Sequence, residues 1–193
     1  MNEVHRIVVA GGTGQLGRLL ARRWAAAGHE VIVLTRDAGQ PAASASKGAE
    51  GSVRMVAWDA GRACAAGGTL GAWHHELDGA DVVVGLAGRS VDCRYSARNR
   101  ALIVQSRVDS TRALAAAIAA AARPPRVWLQ ASTATIYAHH TGGPNDAAND
   151  ETNGVLGGDE PGAPDTWRFS IDVAKQWEAA AFALALPKTR TVL

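Results

Sequence analysis

A glycine-rich turn, Gly11-Gly12-Thr13-Gly14-Gln15-Leu16-Gly17, restricts the fold of this chain more than any other segment. The run before it, Arg6 to Ala10, is short, continuous and β-branched, as a strand buried on both faces should be. The stretch after it, Gln15 to Ala27, carries Leu16, Leu20 and Trp24 at four-residue spacing, with Leu19 beside them. That spacing predicts a helix with one apolar face, and Gly28 suits its end. A strand, a turn with this glycine spacing and a helix together make a phosphate-binding turn. Gly12 allows the tight exit from the strand, Gly14 lets a pyrophosphate approach the backbone, and Gly17 lets the helix pack closely. The free N–H groups and dipole at the helix start favour negative charge there. Gly11, Thr13, Gln15 and Leu16 complete this candidate cofactor-binding segment.

The pattern repeats along the chain. Further apolar runs occur at Glu30 to Leu34, Val53 to Trp58, Asp81 to Leu86 and Arg126 to Gln130, and a sixth begins near Thr189. Longer helical stretches are expected from about Asn99 to Ala122, before Pro124-Pro125, and from about Ser170 to Leu186, before Pro187. Alternating strands and helices predict α/β architecture: a Rossmann-type, doubly wound parallel sheet with helices on both faces. The stretches Ala38 to Gly51 and Thr141 to Asp165 are rich in small and polar residues and read as loops. The sixth run stops at Leu193, so residues 1–193 read as one nucleotide-binding domain from which a C-terminal substrate-binding part is absent.

The ends of the second, third and fourth strands bear on which nucleotide such a site takes. A fold that prefers NAD(H) carries an acidic residue at the end of the second strand, to hold the ribose 2′-hydroxyl. Thr35 stands there, followed by Arg36, whose guanidinium suits a 2′-phosphate, so NADP(H) is favoured over NAD(H). Asp37, one place later, is an acidic alternative. Asp59 could accept a bond from the adenine amino group or cap the next segment. Leu86, Ala87 and Gly88 would let the cofactor ribose lie against backbone.

Other function classes find less support. The formal net charge is +2, and no basic run would track a phosphate backbone, so no nucleic-acid partner is expected. No apolar run approaches the ~20 residues of a membrane span, and no leader precedes the first strand, so a cytoplasmic protein without a membrane partner is expected. Cys64 and Cys93 read as reduced thiols. The pairs His74-His75 and His139-His140 lack chelating spacing, and no metal site is expected. Arg94, Arg98 and Arg100 could line a substrate phosphate or form a solvated helix face. Trp24, Trp58 and Trp128 read as core.

These motifs, with Gly28-His29-Glu30-Val31, Gln105 to Arg112, Ala131 to Ala134 and Trp177-Glu178-Ala179-Ala180-Ala181, resemble the extended short-chain dehydrogenase/reductases. The similarity is to the sugar-nucleotide epimerase-like branch, labelled NAD-dependent epimerase/dehydratase, and extends over nearly the whole chain. It implies oxidoreductase or epimerase chemistry on a nucleotide-sugar-like or small carbonyl substrate, and a possible homodimer. It also implies a hydroxyl after the fifth strand, matched by Thr133, and a tyrosine four residues before a lysine on the next helix. Lys175 supplies a lysine, but Ile171 stands where the tyrosine would be, which leaves Tyr137 as a fallback acid. Three readings follow: an NADP(H)-dependent enzyme using Thr133, Tyr137 and Lys175; an NADP(H)-binding sensor or partner-binding module without turnover; and a fragment that folds poorly alone.

Overall fold

The computed structural model describes residues 3–37, 52–138, 149–158 and 160–193. Six strands form one parallel sheet: β1 Arg6–Ala10, β2 Glu30–Thr35, β3 Ser52–Ala57, β4 Val82–Gly85, β5 Val127–Gln130 and β6 Arg190–Val192. Their order is β3-β2-β1-β4-β5-β6, all parallel. This is the expected doubly wound arrangement. The chain reverses its direction of travel across the sheet between β1 and β4, which opens a crevice at their carboxyl ends. The expected loop Ala38 to Gly51 lies outside the described residues, as do His139, His140 and the first part of the second loop.

Alternation along the strands sorts the core onto two faces. Val8, Ala10, Ile32, Leu34, Val83 and Trp128 face one side, where Leu114 and Ile118 of helix α3 (Ala97–Ala120) and Ala181 of helix α4 (Asp165–Phe182) cover them. Ile7, Val9, Val31, Val33 and Val84 face the other, under Ala21 and Ala25 of helix α1 (Gln15–Ala26). Trp58 and Trp73 meet edge to face in the first core, their ring centres 5.3 Å apart, and Trp24 packs on the second.

The apolar stripe expected on α1 packs only in part: Trp24 packs on the second core and Leu20 is half-buried. Leu16 and Leu19 are exposed, and the buried positions are Gly17, Ala21 and Ala25. Small residues four apart bring the helix axis close to the sheet, and closeness here outweighs the area that leucines would bury. The helix stops as expected, with Gly28 at φ +92°. Helix α3 starts two residues early because the Ser96 side chain accepts from Asn99 N at 3.3 Å. Helix α4 starts at Asp165, whose charge suits a helix N-terminus, and ends at Phe182, short of Pro187. The five-residue α2 (Ala60–Cys64) and a 3-10 turn over Ala72–Leu77 are too short for periodicity to reveal.

An ion cluster ties the 3-10 turn to the amino ends of the strands. Glu76 accepts from Arg6 of β1 at 2.7 Å and from both terminal nitrogens of Arg54 of β3, at 2.8 and 2.6 Å. The bonds from Arg54, with Arg6 adding to them, outweigh burial and hold the Glu76 carboxyl below the usual glutamate range. A carboxylate depressed in the fold contributes stability that is full above its unfolded pKa and is lost as pH falls through the lower folded value. Glu76→Gln is therefore expected to lower stability at pH 7 by about 1 kcal/mol, a figure discounted for solvent screening. Thermal denaturation of both proteins across pH should show this difference shrinking below about pH 4.3.

Candidate functional site

The crevice between β1 and β4 is a cleft of about 640 Å³. Its floor is the turn after β1. Gly11 adopts φ +83°, and a Cβ on it would lie 2.8 Å from Ala87 N, so the turn presses on the backbone after β4. The left-handed residue of the tight turn is thus Gly11, whereas Gly12 is needed because Val33 stands 2.7 Å from where its Cβ would be. Gly17 lies against the turn itself: a Cβ there would be 2.6 Å from Gly11 O and from Gly12 Cα. Gly14 differs, since the one nearby atom on its Cβ side is Gly11 O at 3.2 Å, and with Thr13 it lines the cleft.

Gly14 is also the N-cap of α1 and offers no side-chain acceptor to the first turn. The helical ladder begins with Arg18 N donating to Gly14 O. The amides of Gln15, Leu16 and Gly17 precede it and carry the partial positive charge of the helix end. Gln15, Leu16, Gly12 and Gly17 do not line the cleft themselves; their share in the site is backbone geometry.

The side walls come from the ends of β2, β3 and β4. Thr35 is buried, and its hydroxyl accepts from Asp37 N at 3.3 Å. Arg36 and Asp37 both line the cleft, and both are exposed. Asp59 lines it too, while its Oδ1 accepts from Arg62 N at 3.0 Å, so the capping alternative is realised. Leu86, Ala87 and Gly88 form the opposite wall.

Helix α3 holds that wall. Arg89 N donates to Ser106 Oγ at 2.9 Å, Ser110 Oγ donates to Ala87 O at 3.3 Å, and Arg107 Nη1 donates to Arg89 O at 3.0 Å. Ser106, Ser110, Gln105 and Asp109 therefore join the cleft, none of which was singled out as a site residue from sequence. Their signal was faint: a run of short polar side chains at three- and four-residue spacing within an otherwise alanine-rich helix.

Thr133, Tyr137 and Lys175 sit past the end of β5, outside the cleft lining. Thr133 Oγ1 accepts from Thr135 N at 3.3 Å, and the Tyr137 ring rests against Gly154. Lys175 Nζ donates to Gly157 O at 2.6 Å. Among the described residues none of the three hydrogen-bonds another. Ile171 is buried at 1% exposure and fills core. Next to Thr133, the Ser132 hydroxyl donates to Glu178 of α4, and the neighbouring Trp177 donates from Nε1 to Thr111 Oγ1 at 3.0 Å. The conspicuous arginines after the wall have different uses: Arg100 pairs with Asp165 and lies 4.8 Å from the Phe169 ring centre, tying α3 to α4.

Comparison with known proteins agrees with this geometry. Residues 7–156 match the family model described as NAD dependent epimerase/dehydratase family. Epimerase family protein SDR39U1 of Bos taurus is 29% identical over 179 residues, 91% of this chain and 48% of the relative. Epimerase family protein YfhF of Bacillus subtilis is 30% identical over 131 residues, 68% of this chain and 38% of the relative. The crystal structure of human SDR39U1 (isoform 2) with NADPH superposes with a TM-score of 0.66 at 28% identity, covering 96% of this chain and 51% of that one. The chain thus spans about half the length of the SDR39U1 proteins it matches.

The glycine geometry separates packing from binding. Gly17→Ala is expected to cost roughly 2 kcal/mol by overpacking the turn. Gly14→Ala, whose methyl group would meet Gly11 O at 3.2 Å and no second atom, should cost less, about 1 kcal/mol. Urea midpoints of the two variants check this.

Proposed function

The chain belongs to the NAD dependent epimerase/dehydratase family, and from that premise we propose that its cleft binds NADP(H) in the service of oxidoreductase or epimerase chemistry. The observation that carries this reading is the uncapped start of α1 at Gly14, which lines the cleft. The amides ahead of the helical ladder hold a pyrophosphate, and Gly14 admits it. Human SDR39U1, described with NADPH, supports the choice of nucleotide.

Each wall then has a task. Arg36, exposed at the cleft edge, grips the 2′-phosphate, and Thr35 rather than a carboxylate is the last residue of the strand, with Asp37 one place beyond Arg36. Leu86, Ala87 and Gly88, fixed by α3, carry the nicotinamide-side ribose. When bound, the nicotinamide supplies reversible two-electron oxidation of a carbinol to a carbonyl. The protein orients the substrate oxygen through Thr133, and Tyr137 is the acid beyond it. Lys175, bonded to Gly157 O, steadies the segment on which Tyr137 rests. The substrate is a small molecule of the nucleotide-sugar or carbonyl class, and the whole protein works in the cytoplasm.

A second reading, an NADP(H)-binding protein without turnover, has one observation in its favour: the buried Ile171, which has no proton to exchange. The two readings share the cofactor site and differ in reaction.

Fluorescence titration of the chain with NADPH and NADH is expected to show tighter binding of NADPH. Arg36→Ala should weaken NADPH by about tenfold or more and leave NADH nearly unchanged. Equal affinity of the parent for both nucleotides would contradict the assignment. In a longer protein with turnover, Thr133→Ala should lower kcat by about a hundredfold while leaving NADPH affinity intact; unchanged kcat would remove Thr133 from the site.

A further inference from the structure

Arg107 is left over once the cleft has been given to a dinucleotide. It is half-buried on α3, directly behind the wall at Gly88: a Cβ on Gly88 would lie 3.4 Å from Arg107 Cγ and Cζ. Its Nη1 donates to Arg89 O at 3.0 Å and to Ile103 O at 3.2 Å. Its Nε and Nη2 make no hydrogen bond among the described residues. Nor, among the described residues, does any carboxylate stand within ion-pair distance of it, whereas Arg6 and Arg54 share Glu76 and Arg100 has Asp165. Burial pushes its pKa down, with Tyr95 acting the other way.

A half-buried charge without a counter-ion is costly, so its retention needs a reason. The Trp177 ring centre lies 5.2 Å from the Arg107 guanidinium carbon, and an aromatic face holds a delocalised cation in place without neutralising it. Two donor nitrogens are left for a bidentate partner. The location is informative as well. Gly88 is on one side of Arg107, and on the other is Trp177, whose neighbour Glu178 holds Ser132 beside Thr133. The Glu178 carboxylate is engaged by the Ser132 hydroxyl rather than by Arg107.

We propose that Arg107 is the anchor for an anionic group, carboxylate or phosphoryl, that the substrate carries close to its reacting carbon. The proposal rests on the cofactor reading above, which places the nicotinamide end of the cleft at Gly88. It also assigns a role to the arginine within the segment Gln105 to Arg112, which the helix–wall contacts alone do not require to be charged.

Two probes, malonate for carboxylate and inorganic phosphate for phosphoryl, are titrated by calorimetry against the chain with and without saturating NADPH. With NADPH filling the turn at α1, the parent should still bind one probe saturably. Preference for malonate identifies a carboxylate and preference for phosphate a phosphoryl group. Arg107→Gln removes the charge and should weaken that probe by about tenfold or more, whereas Arg107→Lys, which keeps the charge, should retain part of the binding. Arg100→Gln, which removes a cation already paired, should leave probe binding unaltered. Undiminished probe binding in Arg107→Gln, an equal loss in Arg100→Gln, or no probe binding by an NADPH-loaded parent would each overturn the proposal. Probe binding that depends on Arg107 in a chain that fails to bind NADPH would uphold the anion site and overturn the cofactor reading.

Discussion

The close approach of the turn after β1 to the backbone after β4 is the constraint on which the rest of this structure depends. Gly11 presses on Ala87, and Gly17 presses on Gly11 and Gly12, so the turn, the helix start and the wall form one tightly packed unit. Side chains larger than hydrogen would hold these three backbones apart. Their contact sets where α1 begins and brings Gly14, its N-cap, to the edge of the cleft. The parallel sheet delivers the two strand ends side by side; the glycines turn that adjacency into the floor of the cleft.

The same need for closeness explains why α1 buries alanines. The helix packs through Gly17, Ala21 and Ala25 on β1, β2 and β3, and it leaves Leu16 and Leu19 exposed. It does not extend over β5, where Leu129 on the same face of the sheet is also exposed. On the opposite face, α3 combines core packing with support of the cleft wall through Ser106, Arg107 and Ser110. One helix thus supplies both the rigidity of the sheet and the placement of the site.

Most strands were legible in the sequence as nearly continuous apolar runs, although β3 carries Arg54 and β6 is Arg190-Thr191-Val192, and the glycine turn was legible because its spacing has few other uses. Two members of the apolar stripe on α1, Leu16 and Leu19, are exposed for a physical reason: hydrophobic periodicity marks where apolar area is available, not where two backbones must come close. The short α2 and the 3-10 turn at Ala72–Leu77 fall below the length at which any periodicity shows. Of the cleft, the turn and the strand ends could be read directly. The contribution of α3 could not, because Ser106 and Ser110 act through hydrogen bonds to a segment distant in sequence. The resemblance that singled out Thr133, Tyr137 and Lys175 identified a neighbourhood after β5, in which each of the three has a separate partner.

The account stands most directly on where a dinucleotide touches the chain. Amide chemical shifts followed during NADPH addition would locate that contact residue by residue. The largest changes are predicted at Gly14 to Leu16, Thr35 and Arg36, and Ala87 and Gly88, with little change at Glu76 by the amino ends of the strands. Shifts confined to other surfaces, with the amides at the start of α1 unaffected, would contradict it.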